Sequence, residues 1–245
     1  NGKLNCSSQW MKIVSSVIRI LRSEFDINKG ANIVVNGDIP IGCGLSSSTA
    51  FVTSITQGLC KLYNIDVSGK ELAHLCQRIE IMGLDLDIGL LDQYGIILSK
   101  DKSLMVIDFH DKSVNYIPVS FCGCSLVVID SQVNRKLSNS AYNSRVNECR
   151  EGLDILKLNN DINEFRDIKI SMLSSLDSRS DHYKRLLHFI NENSRVKEMI
   201  VHLKSSNYIE IGKTLTASHE SLRNLYEVSC DEIDYIIDKS SDNNG

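Results

Sequence analysis

Apolar positions along the chain fall at helical spacing over several long stretches, and β-branched runs separate some of them. Trp10, Ile13, Val14, Val17, Ile18 and Leu21 make a first stripe, with Ser7 and Ser8 as candidate caps. A second begins near Thr49 and runs through Phe51, Val52, Ile55, Leu59 and Leu62. Ser68-Gly-Lys-Glu71 is a capping box, so a third helix starts near Gly69 and buries Leu72, Leu75, Cys76, Ile79 and Met82 or Gly83. From Asp161 onward the pattern is helical, with Leu186, Leu187 and Ile190 on one stripe and Val196, Met199, Ile200 and Leu203 on another. Ile33–Val35 reads as the end of a strand, and Ile96–Leu98, Leu104–Phe109, Val114–Val119 and Ser125–Asp130 read as four more. These elements predict an α+β protein in which strands of the first half are covered by the helices that begin at Thr49 and Gly69. A helix-rich second domain follows, with the boundary expected between residues 1–120 and 121–245.

The most informative stretch joins the first of those strands to the second helix. Pro40, Gly42 and Gly44 break the strand and open a tight loop, and Ser46, Ser47 and Ser48 stand where the helix begins. A helix start offers unpaired N–H groups and the positive end of its dipole, glycines admit a ligand to the backbone, and hydroxyls add donors. Together they suit a phosphate. A flexible Gly/Ser linker needs no such bracketing by strand and helix. The loop is not a Walker A loop, since no Lys follows its glycines, and Gly42-x-Gly44 with Ser48 beyond does not make a dinucleotide fingerprint.

Two acidic positions bear on chemistry. Glu80 lies beside the buried stripe of the third helix, where it reads as a solvated or boundary carboxylate. Asp85, Asp87 and Asp92 fall within eight residues, which a solvated loop explains. Asp92 differs because Leu90, Leu91 and Tyr94 surround it, so partial desolvation is expected and with it a partner or a role. A calcium loop is the weaker alternative, since Asp85, Asp87 and Gly89 lack the EF-hand spacing and the terminal Glu.

Composition narrows the class. The chain has 245 residues, 42% hydrophobic and 24% charged, with a net charge of −4 and a pI near 5.9. That is an ordinary soluble globular protein without a basic footprint for nucleic acid. No apolar run of membrane-spanning length occurs and no signal segment opens the chain, so neither a membrane nor secretion is expected. Eight cysteines and six histidines show no metal-ligand spacing, and the thiols read as reduced packing groups of a cytoplasmic protein.

Pro40-Ile-Gly-Cys-Gly-Leu-Ser-Ser-Ser48 resembles the P-x-G-x-G-L-S-S-S loop of the GHMP small-molecule kinases, and among them the galactokinase family. Thr49 stands where that family usually has a small Ala. Cys76-Gln77-Arg78-Ile79-Glu80 is similar to the family's C-Q-x-A-E, and Gly89-Leu-Leu-Asp92-Gln93 to its G-I-M-D-Q. The segment from Asp130 to Cys149 resembles the family's D-S-x-v-x-H-x-L-x-x-S-x-Y-x-x-R-x-x-x-C run, and SHESLRNLYEVSCDEID follows galactokinase text closely. The upstream G-R-V-N-L-I-G-E-H-T-D-Y and downstream G-x-G-F-G-G motifs are not found, so the chain reads as the central part of a longer enzyme, with little turnover expected of this piece alone.

The resemblance implies the GHMP kinase fold, with a two-layer N-terminal domain of the ribosomal protein S5 domain 2-like type and a helix-rich C-terminal α+β domain. It implies ATP as substrate, with phosphates over Gly42, Gly44, Leu45, Ser46, Ser47 and Ser48, and Mg²⁺ held by Ser48 and Glu80. Asp92 would be the general base, and Gly89, Asp92 and Tyr142 would contact the sugar. Trp10 resembles a tryptophan near the family's nucleotide pocket, and a core anchor explains it equally well. The expected activity is phosphorylation of galactose at its C1 hydroxyl by a monomeric enzyme. N-acetylgalactosamine kinase is the alternative within the class, and a non-catalytic galactokinase-like sugar sensor the alternative outside it. The full-length serine loop and the presence of Asp92 favour an enzyme. Asp85 and Asp87 replace residues usually small or Pro, and Ile81 a common His, changes that bear on which sugar is taken rather than on phosphoryl transfer.

Overall fold

Helix α1 (Gln9–Phe25) forms where apolar residues recur every three to four positions, and it buries Ile13, Val17, Ile20 and Leu21. The computed structural model in which this is seen describes residues 9–85, 88–121, 123–133 and 139–241, with backbone alone at 9, 139–143 and 241. Ser7 and Ser8 lie outside the described residues. Two compact units divide the chain, residues 1–116 and 117–245.

In the first unit, α1 packs with α2 (Ser47–Leu62) and α3 (Gly69–Leu84) around Val17, Val52, Ile55, Leu59, Leu75 and Ile79. The capping box closes α3 at its start: Glu71 N–H donates to Ser68 Oγ at 3.3 Å, and Ser68 N–H donates to Glu71 Oε2 at 2.7 Å. Gly83 lets α1 and α3 approach closely, because a Cβ there would lie 3.2 Å from the Ile13 Cα. Leu62 and Met82, at the ends of their stripes, are exposed.

Strands β1 (Ser103–Asp108) and β2 (Ser113–Pro118) pair as a two-stranded sheet, as the alternation around the Asp111-Lys112 turn predicts. Three other predicted strands take different forms. Ile96–Leu98 belongs to helix α4 (Leu91–Leu98), whose Gln93 and Tyr94 are buried against the other helices of the unit. An apolar run of that length fits strand or helix alike, and packing decides. Ile33–Val35 forms no strand, since a strand needs a hydrogen-bonded neighbour and it has none among the described residues. Val34 is 97% exposed, and an open groove of about 330 Å³ separates residues 31–36 from Ser54, Gly58 and Leu62 of α2. Ser125–Asp130 is likewise unpaired, with Leu126, Val127, Val128 and Ile129 exposed.

From Asn139 onward the second unit is built on helices: α5 (Asn139–Lys157), α6 (Asp181–Lys204), α7 (Tyr208–Ser221) and α8 (Asp231–Ser241). Leu153, Leu156, Ile162, Ile168, Leu173 and Leu186 form its core. Beside that core Arg185 is fully buried, donating to Glu148 Oε2 at 2.6 Å, Glu227 Oε2 at 2.8 Å and the Leu225 carbonyl at 2.5 Å. A π-helical turn at Leu222–Tyr226 ends α7 and presents that carbonyl. No helix among the described residues is long and apolar enough to cross a membrane.

Candidate active site

The loop before α2 is built from residues that reverse the chain in a short span. Gly42 and Gly44 have φ of +82° and +73°, the region where only glycine is free of a Cβ clash. Ser46 follows at φ 53° and ψ 39°, left-handed, and its side chain does not cap the helix. The first intrahelical bond runs from Ala50 N–H to the Ser46 carbonyl at 3.0 Å. The start of α2 therefore carries uncapped N–H groups and the positive end of the dipole, with the Ser46 to Ser48 hydroxyls beside them. Such an arrangement binds anions. Leu45 is exposed on the same loop. Near this helix start Trp10 packs edge-on against Phe51, ring centroids 4.6 Å apart, and remains partly exposed.

Glu80 comes to this helix from the last turn of α3, and it is only 2% exposed. It is not the boundary carboxylate that its place beside the stripe suggests. Its Oε1 accepts from Thr49 Oγ1 at 2.9 Å and from Ser48 Oγ at 3.3 Å, and its Oε2 accepts from Gln93 Nε2 at 2.5 Å. Burial pushes this carboxyl up, the three donors pull it down, and the charge of Asp92 pushes it up again, for a net rise. A carboxylate buried this deeply needs such partners.

The fit to a divalent ion can be tested on these oxygens. Neighbouring ligands of an octahedral Mg²⁺ stand about 2.9 Å apart, from metal–oxygen distances of about 2.0–2.1 Å. Ser48 Oγ and Glu80 Oε1, 3.3 Å apart, can share one ion with a small adjustment. Among the described residues no three His, Cys, Asp or Glu side chains gather to hold a metal unaided. One hydroxyl and one carboxylate completed by phosphate oxygens is a set that Mg²⁺ accepts.

Asp92 stands in the first turn of α4, next to Gln93, and is exposed. The expectation of a partly desolvated carboxylate is corrected here. Apolar neighbours in sequence are not neighbours around the side chain: the helix turns Gln93 and Tyr94 inward and leaves Leu91 and Asp92 facing out. Gln77 Nε2 donates to the Ile88 carbonyl at 2.8 Å and so ties the segment ahead of Gly89 to α3. Gly89 itself is exposed, with nothing near its would-be Cβ. Asp85 caps the end of α3 in a left-handed conformation, and Asp87 lies outside the described residues. Tyr142 falls in α5, in the second unit, and its side chain is outside those described.

The structure thus brings Ser48 to Glu80, the pair that the resemblance implies, and adds the start of α4 through Gln93. Two contributors were missed. Thr49 counted only as a departure from a small residue, and Gln93 only as the letter after Asp92. A polar amide inside the apolar run Leu90 to Leu98 was the available signal for Gln93, because such a group needs a buried partner.

Comparison with known proteins bears on what this site belongs to. Residues 12–100 match the family model for the GHMP kinases N terminal domain. A galactokinase of Thermosipho africanus is 31% identical over 244 residues, covering 100% of this chain and 68% of the relative. A galactokinase of Thermotoga maritima is 31% identical over 236 residues, covering 96% of this chain and 66% of that protein. The crystal structure of Lactococcus lactis galactokinase complexed with galactose superposes with a TM-score of 0.84 at 26% identity, covering 99% of this chain and 62% of that one. The chain spans about two thirds of the length of the curated relatives it matches.

Proposed function

The chain belongs to the galactokinase family of the GHMP kinases, and from that premise we propose that it works in the transfer of the γ-phosphoryl group of ATP to the C1 hydroxyl of galactose. The observation that carries the reading is the meeting of Ser48 and Glu80, 32 positions apart in sequence and 3.3 Å apart in space, at an uncapped helix start behind a two-glycine turn. Phosphate oxygens would lie against the backbone and hydroxyls from Gly42 to Ser48. Ser48 and Glu80 would hold Mg²⁺, which when bound offsets the charge of the phosphates. Phosphoryl transfer demands little covalent chemistry of the protein, so positioning and charge stabilisation carry most of the catalysis.

Asp92 is the base in this reading. Its exposure at the start of α4 leaves its carboxylate accessible to a sugar hydroxyl, whose proton it would accept as the phosphoryl group transfers. Gly89 keeps the approach free of a side chain, and Tyr142 is the further sugar contact that the resemblance implies. Turnover of galactose is to be measured in the full-length protein with Asp92→Asn, Asp85→Asn and Asp87→Asn in parallel. Asp92→Asn is expected to lose about 10²–10⁴-fold, the usual scale for a positioned base, while remaining folded by thermal melts. A folded Asp92→Asn enzyme that keeps more than about a tenth of its rate rejects the assignment. N-acetylgalactosamine, assayed beside galactose, decides the sugar. Galactose binding without phosphorylation would mark a sensor.

A further inference from the structure

We infer that Gln93 is the positioning residue of this site, holding the Glu80 carboxylate so that one oxygen is presented beside Ser48. The inference rests on the metal reading of Ser48 and Glu80 given above. Gln93 is 1% exposed, and its Nε2 donates to Glu80 Oε2 at 2.5 Å. With Oε2 committed to the amide, Oε1 is the oxygen that faces the Ser48 and Thr49 hydroxyls.

The chemistry of the amide is what makes Gln93 suited to this. A Lys or Arg in its place would hold the carboxylate as firmly but cancel the negative charge that a divalent ion requires. A carboxylate in its place would repel Glu80 or share its proton. A neutral donor fixes orientation and leaves the charge available.

A second observation points the same way. Gln93 Oε1 is buried and has no hydrogen-bond partner among the described residues. Turning the amide over would satisfy nothing, since it would set that oxygen against the Glu80 carboxylate. The position is also where the site is joined together. Gln93 stands next to Asp92 on α4, so one residue ties the helix bearing the proposed base to the carboxylate of α3 and, through it, to the start of α2.

The test measures metal affinity apart from turnover. Mn²⁺ binding to the full-length protein with a non-hydrolysable ATP analogue is followed by electron paramagnetic resonance for wild type, Gln93→Met, Gln93→Asn and Glu80→Gln. Gln93→Met keeps the length and removes the donor. Gln93→Asn keeps an amide but withdraws it by one methylene, and it decides alone should Gln93→Met not fold. Each folded Gln93 variant is expected to bind Mn²⁺ about 10–100-fold more weakly, the usual loss when a partner of a metal ligand is removed. Galactose affinity, measured by calorimetry without nucleotide, is expected to stay within about threefold, which general disruption of the fold would not allow. Loss in Glu80→Gln with none in the folded Gln93 variants overturns the positioning role alone. Unchanged Mn²⁺ affinity in Glu80→Gln overturns the metal reading, and the positioning role falls with it.

Discussion

Arg185→Met is expected to destabilise the second unit by about 3 kcal/mol at neutral pH, the low end of what breaking a buried ion pair costs. The side chain is 0% exposed and donates to Glu148, Glu227 and the Leu225 carbonyl, so methionine keeps much of its stem packing and removes every donor. Losing hydrogen bonds to two charged groups would cost about 1.5–3 kcal/mol each if nothing replaced them. Replacement is available in part. Lys184 stays 2.8 Å from Glu227, which is 37% exposed, and Arg145 stays 2.6 Å from Glu148. Solvent and these neighbours recover roughly half of the loss, leaving about 3 kcal/mol with the orphaned carbonyl included. The pH dependence supplies a second check. Lys184 and then Arg185 hold the Glu227 carboxyl down to about 2, well below the ordinary carboxylate range. A depressed carboxyl adds stability above its unfolded value, about pH 4.3, and loses it as pH falls toward the folded value. The gap between wild type and Arg185→Met is therefore full at pH 7 and shrinks from about pH 4.5 down to 2. Urea denaturation of the full-length protein at a series of pH values measures it. A gap under about 1 kcal/mol at pH 7, or one that does not change with acid, refutes this account of the cluster.

Gly83→Ala is expected to destabilise the first unit by about 1–3 kcal/mol, as overpacking does, because the new Cβ meets the Ile13 backbone at 3.2 Å and backbone cannot rotate aside. Urea unfolding checks this, and a neutral substitution would mean that α1 and α3 separate freely. Among the described cysteines, exposed Cys124 is expected to react first with a thiol reagent, while Cys76, buried and pushed up by that burial to about 11, stays silent until denaturant is added. Peptide mapping of the labelled sites over time distinguishes them.

How much of this was legible in the sequence depends on how local the cause is. The stripes of α1, α2 and α3, the capping box and the hairpin of β1 and β2 come from spacing and turn chemistry within one element, and the structure forms them. The fate of Ile33–Val35, Ile96–Leu98 and Ser125–Asp130 rests on neighbours, which an apolar run does not specify. Packing of Gln93 and Tyr94 made α4 a helix, and two runs without a ladder partner among the described residues stayed out of any sheet with their apolar side chains exposed. The same holds at the site. Loop glycines and serines announced an anion-binding turn because φ and hydroxyl chemistry are properties of single residues. Burial of Glu80 did not announce itself, since its donors come from 31, 32 and 13 positions away. Thr49 carries the clearest lesson: the reading that saw a mild departure from a small residue missed a hydroxyl that donates to the central carboxylate.

That carboxylate explains why the first unit tolerates a polar knot in a small core. An ion buried among three helices costs stability wherever a hydrophobic residue of similar size could pack instead. Here α2 supplies Ser48 and Thr49, α3 supplies Glu80, and α4 supplies Gln93, so one charge fixes the mutual placement of all three helices. Apolar packing would hold them together without fixing which way the loop hydroxyls and the start of α4 face. Hydrogen bonds to a single ion are directional, and they set the glycine turn, the Ser48 hydroxyl and the turn bearing Asp92 in one frame. Phosphoryl transfer depends on positioning of that kind. The stability given up at Glu80 is thereby tied to the geometry of the site, and local rules of core composition are broken at the place where chemistry is proposed to occur.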